Sequence, residues 1–409
     1  MPNKKYIEKF CLNFIISLIP FSLIIGSFTS NLFLIVLAIY YIFFKFYDER
    51  AQIFKEKYFF IFFIFYIYLI FNASLSENFE SSMIRSLGYI KFFLFSLFLK
   101  FLLENNRIDL KKILFFWFLT LLALCLDLLY QGYFGKNITG YVVQNPLRNS
   151  SFFYDELKAA SLFVGFAFIS FSFNINENKK IIFFLTLFLL SVLVTGERSN
   201  LIRFIFLLSI LIIFYAKKIN LKSLAVALLI FISLSTLYYE KISERYNRTI
   251  SYSNENIEES LLSIYKNSQY GAHALTAYHI FLDNKLFGVG NKNFRLKCHE
   301  YQNFIVEKYN IRTSGCATHP HQFWYEILSE HGIFGLTLLL ILFWTIFITR
   351  LKKKNLNILN IMALAYLINV FIPILPSGSF FTSYNSTIFW INVAIYITEF
   401  KHNINEQYI

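Results

Sequence analysis

The feature that most constrains this chain is a series of unbroken apolar runs, each roughly 17–25 residues long, set apart by short polar breaks. Inside lipid every backbone N–H and C=O must find a partner within the chain, so only helices and closed barrels can cross. A barrel strand would be about ten residues of alternating character. These runs are about twice that length and do not alternate. The chain therefore reads as all-α, a polytopic integral membrane protein of about twelve transmembrane helices. They fall near 10–28, 30–46, 57–73, 84–103, 112–131, 156–173, 180–196, 198–216, 221–239, 327–349, 356–376 and 379–400. Only 15% of the 409 residues are charged, where soluble domains carry about 25%. An ordinary soluble enzyme is excluded, and so is a disordered chain, which needs low hydrophobicity.

The formal net charge is +13. In a soluble protein that would point to nucleic acid. Here its distribution gives another account. Lys4, Lys5 and Lys9 precede the first run, Lys45, Arg50, Lys55 and Lys57 follow the second, and Arg107, Lys111 and Lys112 follow the fourth. Lys179 and Lys180 follow the sixth, Lys217, Lys218 and Lys222 the eighth, and Arg350, Lys352, Lys353 and Lys354 the tenth. Cationic loops alternate with nearly neutral ones, which places both termini in the cytoplasm and makes the lipid bilayer, not nucleic acid, the partner. The first run lacks a small-residue cleavage site and reads as a retained helix.

One segment breaks the rhythm. Residues 240–326 are polar and rich in Asn and Tyr, and parity puts them outside the cytoplasmic membrane. The expected organisation is 1–239 for helices one to nine, 240–326 for a large periplasmic loop between helices nine and ten, and 327–409 for the last three helices and a short tail. Ordered loops this long are usually functional. The sequence shows no internal repeat, which weighs against transporter folds built from repeated halves.

Three stretches carry candidate chemistry. In Thr318-His319-Pro320-His321-Gln322-Phe323, Pro320 suits a first helical turn, which sets His321 and Gln322 at the outer end of helix ten. Gly332 lies eleven residues beyond His321, about three turns or 16 Å along a helix, on the same face, with Gly335 close by. That reads as a titratable group at the rim above a tight packing contact. The plainer alternative is an interfacial histidine and a packing seam. In Thr195-Gly196-Glu197-Arg198-Ser199-Asn200, Arg198 opens a helix whose free N–H groups favour an anion, and a guanidinium grips phosphate with two hydrogen bonds. Arg203 lies about one turn deeper, where a lone charge is expensive. The alternative is that Glu197 pairs with Arg198. In Asn145-Pro146-Leu147-Arg148-Asn149, Arg148 is a second phosphate candidate or a solvated loop arginine. Arg85 and Lys91 are further buried-charge candidates, each able to snorkel to an interface, and Asp127 is expected to pair with one of them.

Other signals are weaker. Gly288-Val289-Gly290 has no preceding strand and is taken as a turn. No HExxH, paired CxxC or D-x-D occurs, so no metal and no cofactor is expected. Cys298 and Cys316 share one expected external loop and are a candidate disulfide, with two free thiols as the alternative. Cys11 and Cys125 look like ordinary apolar residues.

With these residues in view, the chain resembles the O-antigen ligase and polymerase superfamily of bacterial envelope glycosyltransferases. His321-Gln322, nine further residues, Gly332 and Gly335 match the ligase signature. Leu286-Phe287-Gly288-Val289-Gly290 with Asn293-Phe294 is similar to the stretch that precedes it in the family. Arg198 matches the family arginine, though Ile202 stands where Leu is usual. The resemblance implies a metal-independent glycosyltransferase in the inner membrane, its active site facing the periplasm. It would move a glycan from undecaprenyl pyrophosphate to a sugar hydroxyl of lipid A-core in lipopolysaccharide biosynthesis. Arg198 and His321 would be catalytic. Arg148, Arg203, Arg85, Lys91 and Gln322 would bind the pyrophosphate or glycan, and Gly332 and Gly335 would be structural. An O-antigen polymerase would use the same donor with a lipid-linked acceptor. A protein O-oligosaccharyltransferase would be expected to carry an added C-terminal domain. A non-enzymatic polyprenyl-glycan transporter would bind the same lipid with the same arginines.

Overall fold

The computed structural model describes residues 4–400 except 144, 146, 172–177, 216–220, 241, 246–264, 266, 312, 314, 353–355 and 374. Lys217, Lys218, Lys353, Lys354, Pro146, part of the long polar segment and the tail from 401 thus lie outside the described residues. The secondary structure described is helical, with one isolated β-bridge between Lys136 and Val142. Each of the expected apolar runs coincides with a helix or a helix pair.

Five helices are long and apolar enough to cross a membrane by themselves: Ser27–Phe44, Lys57–Ser74, Phe79–Glu104, Leu110–Phe134 and Phe323–Leu351. A sixth appears if Lys4–Ser17 and Ile19–Ile25, bent by 46°, form one span. Shorter apolar helices include Ala159–Ser170, Lys180–Val194, Ala225–Thr236 and Ile358–Val370. The chain is an all-helical, multi-pass membrane protein, while helix length alone supports fewer than the twelve crossings expected.

Helix ends are set by local chemistry. Asn78, Asp109, Asn357 and Thr382 each accept a backbone N–H of the first turn that follows them, satisfying donors that the helix leaves orphaned. Lipid tails are as apolar as the side chains, so association rests on close packing and buried hydrogen bonds. Phe62 stacks on Phe93 at 3.7 Å between centroids, and Trp390 meets both edge-on. Asn360 Nδ2 donates to the Ile395 carbonyl at 2.8 Å, and Trp117 Nε1 to that of Ile16 at 2.9 Å.

The described part of the long polar segment contains the helices Gln269–Asp283 and Phe294–Tyr309. Ala277, Ile280, Phe294 and Cys298 form a small core between them. Cys298 and Cys316 are joined in a disulfide, their Cα atoms 5.2 Å apart. Cys125 is buried, and Cys11 is exposed.

Phe323–Leu351 departs from the sequence reading in two ways. It starts at Phe323 with Gln322 as its N-cap, so Pro320 lies before the helix and not in its first turn. It is also broken at Gly332 (φ 62°, ψ −167°), so His321 and Gly332 do not share one continuous helical face. The segment 285–290 enters the break. Val289 N and Gly290 N donate to the carbonyls of Ser329 and Glu330 at 3.0 and 2.9 Å, and Ile333 N donates to that of Lys285 at 2.9 Å. A Cβ on Gly332 would collide with the Leu286 carbonyl. Gly335 packs instead under Tyr68 of the neighbouring helix.

Candidate functional site

At one end of the bundle lies a cavity of about 580 Å³, within the range of sites for small molecules and cofactors. Its walls come from four parts of the chain that are distant in sequence.

The first two walls are the loop before Ala159–Ser170 and the turn before Arg198–Tyr215. Buried polar groups stitch them together. Asn149 Nδ2 donates to the Val194 carbonyl at 2.7 Å, and Asn149 N to that of Thr195 at 3.3 Å. Gly196 (φ +71°) presses against the Leu147 carbonyl, where a Cβ would not fit. Beneath, Gln131 accepts from the N–H groups of Ser150 and Ser151 at 3.1 and 2.8 Å. Asp127 accepts from Ile138 N at 2.8 Å and from the Ser151 hydroxyl. Asp127 was expected to pair with Arg85 or Lys91; it fixes the loop that carries Arg148.

This stitching sets Arg148 beside Arg198, and both line the cavity with Arg203, Lys158 and Arg245. Arg203 is buried; its Nη2 donates to the Leu375 carbonyl at 3.3 Å. The Nε atoms of Arg148 and Arg203 are buried without a hydrogen-bond partner among the described residues. Unsatisfied donors of this kind are costly and suit an anion-binding site. The carboxylate among them is Glu197, which accepts from Asn200 Nδ2 at 2.6 Å and from Ala160 N at 3.4 Å. Burial pushes its carboxyl up to about 7, against the pull of these donors and of Arg148.

The third wall carries His321. Its backbone lies in the left-handed region (φ 55°), and its carbonyl accepts from Ser377 N at 2.8 Å. Strained backbone at a non-glycine residue concentrates at functional sites. Its ring lies 4.0 Å from His319 and 5.3 Å from His273, centroid to centroid, with Tyr270 at 6.0 Å. Burial, helped by His273, holds the His321 imidazole down at about 4. His319 is pushed to about 3 by burial, then by His321, with Arg85 and His273 adding to the effect. At neutral pH these rings are uncharged and His321 can accept a proton. The fourth wall runs from Leu375 to Phe389.

The cavity thus gathers His321, Arg198, Arg148 and Arg203. Three other candidates do not line it. Gln322 is spent on structure: its Oε1 accepts from Tyr325 N at 3.0 Å, and its Nε2 donates to the Pro373 carbonyl at 2.7 Å. Lys91 lies 4.8 Å over the Phe92 ring. Arg85 faces the carboxylates of Glu330 and Glu326. These two acids were not singled out from sequence, although two carboxylates one turn apart in an apolar run are a signal in themselves. Both are buried. Glu326 accepts from Phe380 N at 2.8 Å and from the Ser379 hydroxyl; Glu330 accepts from Lys292 N at 2.8 Å and Phe294 N at 3.1 Å. Among the described residues, the cluster of Cys298, His299 and Cys316 has metal-ligand spacing, but the disulfide occupies both sulfurs.

The fold and site define a multi-pass helical membrane protein with a cationic cavity beside a neutral histidine. Residues 182–340 match the family model described as O-antigen ligase. Through that segment, under half of the chain, it is similar to the O-antigen ligase family, a family of glycosyltransferase-like enzymes with ligase- or polymerase-type roles in O-antigen biosynthesis. The matched segment holds Arg198, Arg203, His321, Gly332 and Gly335; Arg148 and the Leu375–Phe389 wall lie outside it. No curated protein matches the chain.

Proposed function

We propose that this protein transfers a glycan from undecaprenyl pyrophosphate to a sugar hydroxyl of lipid A-core, without a metal, at the periplasmic side of the bacterial inner membrane. The convergence of Arg148, of Arg198 with Arg203, and of His321 on one cavity carries this reading, since those three stretches are far apart in sequence. The acceptor hydroxyl oxygen attacks the anomeric carbon. Its proton passes to the His321 imidazole. The bond from that carbon to the phosphate oxygen breaks, and the electron pair leaves on undecaprenyl pyrophosphate. Fixed guanidinium groups stabilise the charge that develops there, at no reorganisation cost. An imidazole held near 4 is by itself a weak base. A pyrophosphate bound beside it favours the imidazolium and raises its basicity where the proton must be taken.

The test is the glycan profile of a deletion strain, read for both lipopolysaccharide and lipid-linked glycan. Bare core with long chains retained on the prenyl carrier is the expected result. Core bearing a single repeat unit would overturn the acceptor and make the protein a polymerase.

A further inference from the structure

The cavity is chemically divided. Its cationic side chains come from the loop at Arg148 and Lys158, from the helix start at Arg198 and Arg203, and from Arg245. The Leu375–Phe389 wall contributes no charge; its polar groups include Ser377, Ser379, Thr382 and Asn385. Sugar hydroxyls are recognised by neutral hydroxyl and amide groups, and pyrophosphate by guanidinium.

The uncharged wall is also coupled to the histidine. Ser377 N donates to the His321 carbonyl at 2.8 Å. The Ser377 hydroxyl oxygen is buried and has no hydrogen-bond partner among the described residues. Asn385 Nδ2 donates to the Ser379 carbonyl at 2.8 Å and packs against Gly378, where a Cβ would meet it at 2.5 Å. Glu326, in the first turn after His321, ties down the same strip through Phe380 N and the Ser379 hydroxyl. Gln322 on Pro373 and Trp324 Nε1 on the Phe371 carbonyl (3.0 Å) extend the seam.

We propose that the strip 377–385 is the acceptor-sugar subsite, with the Ser377 hydroxyl a direct contact and Glu326 the positioning residue that holds the strip in register with His321. This deepens the proposed function and rests on it: the donor pyrophosphate takes the arginine wall, and the acceptor hydroxyl reaches His321 from the neutral wall.

The experiment uses the full-length protein in detergent. The undecaprenyl-pyrophosphate-linked glycan and lipid A-core are each titrated at saturating partner. Ser377→Ala and Asn385→Ala are expected to raise the acceptor KM about fivefold, as loss of one neutral hydrogen bond does, with the donor KM unmoved. Glu326→Ala should lower kcat and raise the acceptor KM. Glu326→Gln, which keeps an acceptor oxygen, should recover most of both; a merely structural role would lower the folded yield and leave the constants of the folded fraction unchanged. An unmoved acceptor KM in both Ser377→Ala and Asn385→Ala, or a raised donor KM, overturns the assignment. If wild-type protein transfers only to lipid-linked glycan, the proposed acceptor falls, and the same titration on that lipid still reads the wall. Binding of delipidated core oligosaccharide, measured calorimetrically, is independent of turnover. Weaker binding by Ser377→Ala supports the subsite; equal binding, or none by wild type, overturns it.

Discussion

The two ends of this bundle bury charge in different ways. At the end away from the cavity, Lys100 pairs with Glu104 at 3.0 Å, Tyr41 donates to Glu49 at 2.7 Å, Arg350 donates to Asn360 at 3.1 Å, and Glu399 N donates to Glu104 at 3.0 Å. Charge there meets a partner of the protein's own. At the cavity end, five basic side chains share the walls with one carboxylate among the described residues. The same helices supply both ends: Phe79–Glu104 carries Arg85 near one end and Lys100 near the other, and Phe323–Leu351 runs from Glu326 to Arg350. Paired charge holds helices together; a surplus of one sign around a cavity favours a ligand of the other.

That contrast can be broken by mutation. The largest effect is expected at the cavity: His321→Ala should lower transfer about 10²–10⁴-fold with normal membrane insertion, measured as initial rates in purified membranes. Arg198→Lys should also be severely impaired, because a point charge does not replace a fork. Full activity in His321→Ala would remove its role as base.

Gly332→Ala comes next. A left-handed position and a blocked Cβ should cost about 1–3 kcal/mol for the backbone alone, seen as a lower Tm in detergent. An unchanged Tm would mean that the break does not need glycine. At the opposite end, Lys100→Met should lower stability, because it leaves the largely buried Glu104 carboxylate without its ammonium partner, while leaving kcat intact. A large loss of kcat there would dissolve the distinction between the ends.

The smallest effect is on pH dependence. Burial lowers His321, so its proton-accepting form survives below the usual imidazole range and is lost only as pH falls toward about 4. The acid limb of kcat/KM, which reports the free enzyme, should lie below the ordinary 6.5. The limb of kcat should lie higher, because bound pyrophosphate favours the imidazolium. An acid limb of kcat/KM at 6.5 or above would mean that His321 is not buried as described.

Much of this was legible in the residues. The unbroken apolar runs dictated helices because lipid offers the backbone no other partner. Arg198 at a helix start and the spacing from His321 to Gly335 are local in sequence, so local reading found them. Long-range placement was not legible. Arg148 reaches the cavity only because Asn149 and Gly196 stitch its loop to the turn before Arg198. Arg85 and Lys91 looked equally eligible and face elsewhere. The spacing places Gly332 at a tight contact on one continuous helical face, whereas the backbone of 285–290 enters a broken helix there.

The sequence by itself determined that the chain is helical, made for a bilayer, and equipped with arginine and histidine near helix ends, since those properties follow from apolar length and helix-end electrostatics. Only the tertiary structure decided which charges meet, that Ser377 and Glu326 belong with His321, and that a neutral wall adjoins a cationic one. The bonds from His321 to Ser377 and from Glu326 to Ser379 and Phe380 join residues more than fifty positions apart, and no periodicity along the chain encodes which buried donor will find which acceptor.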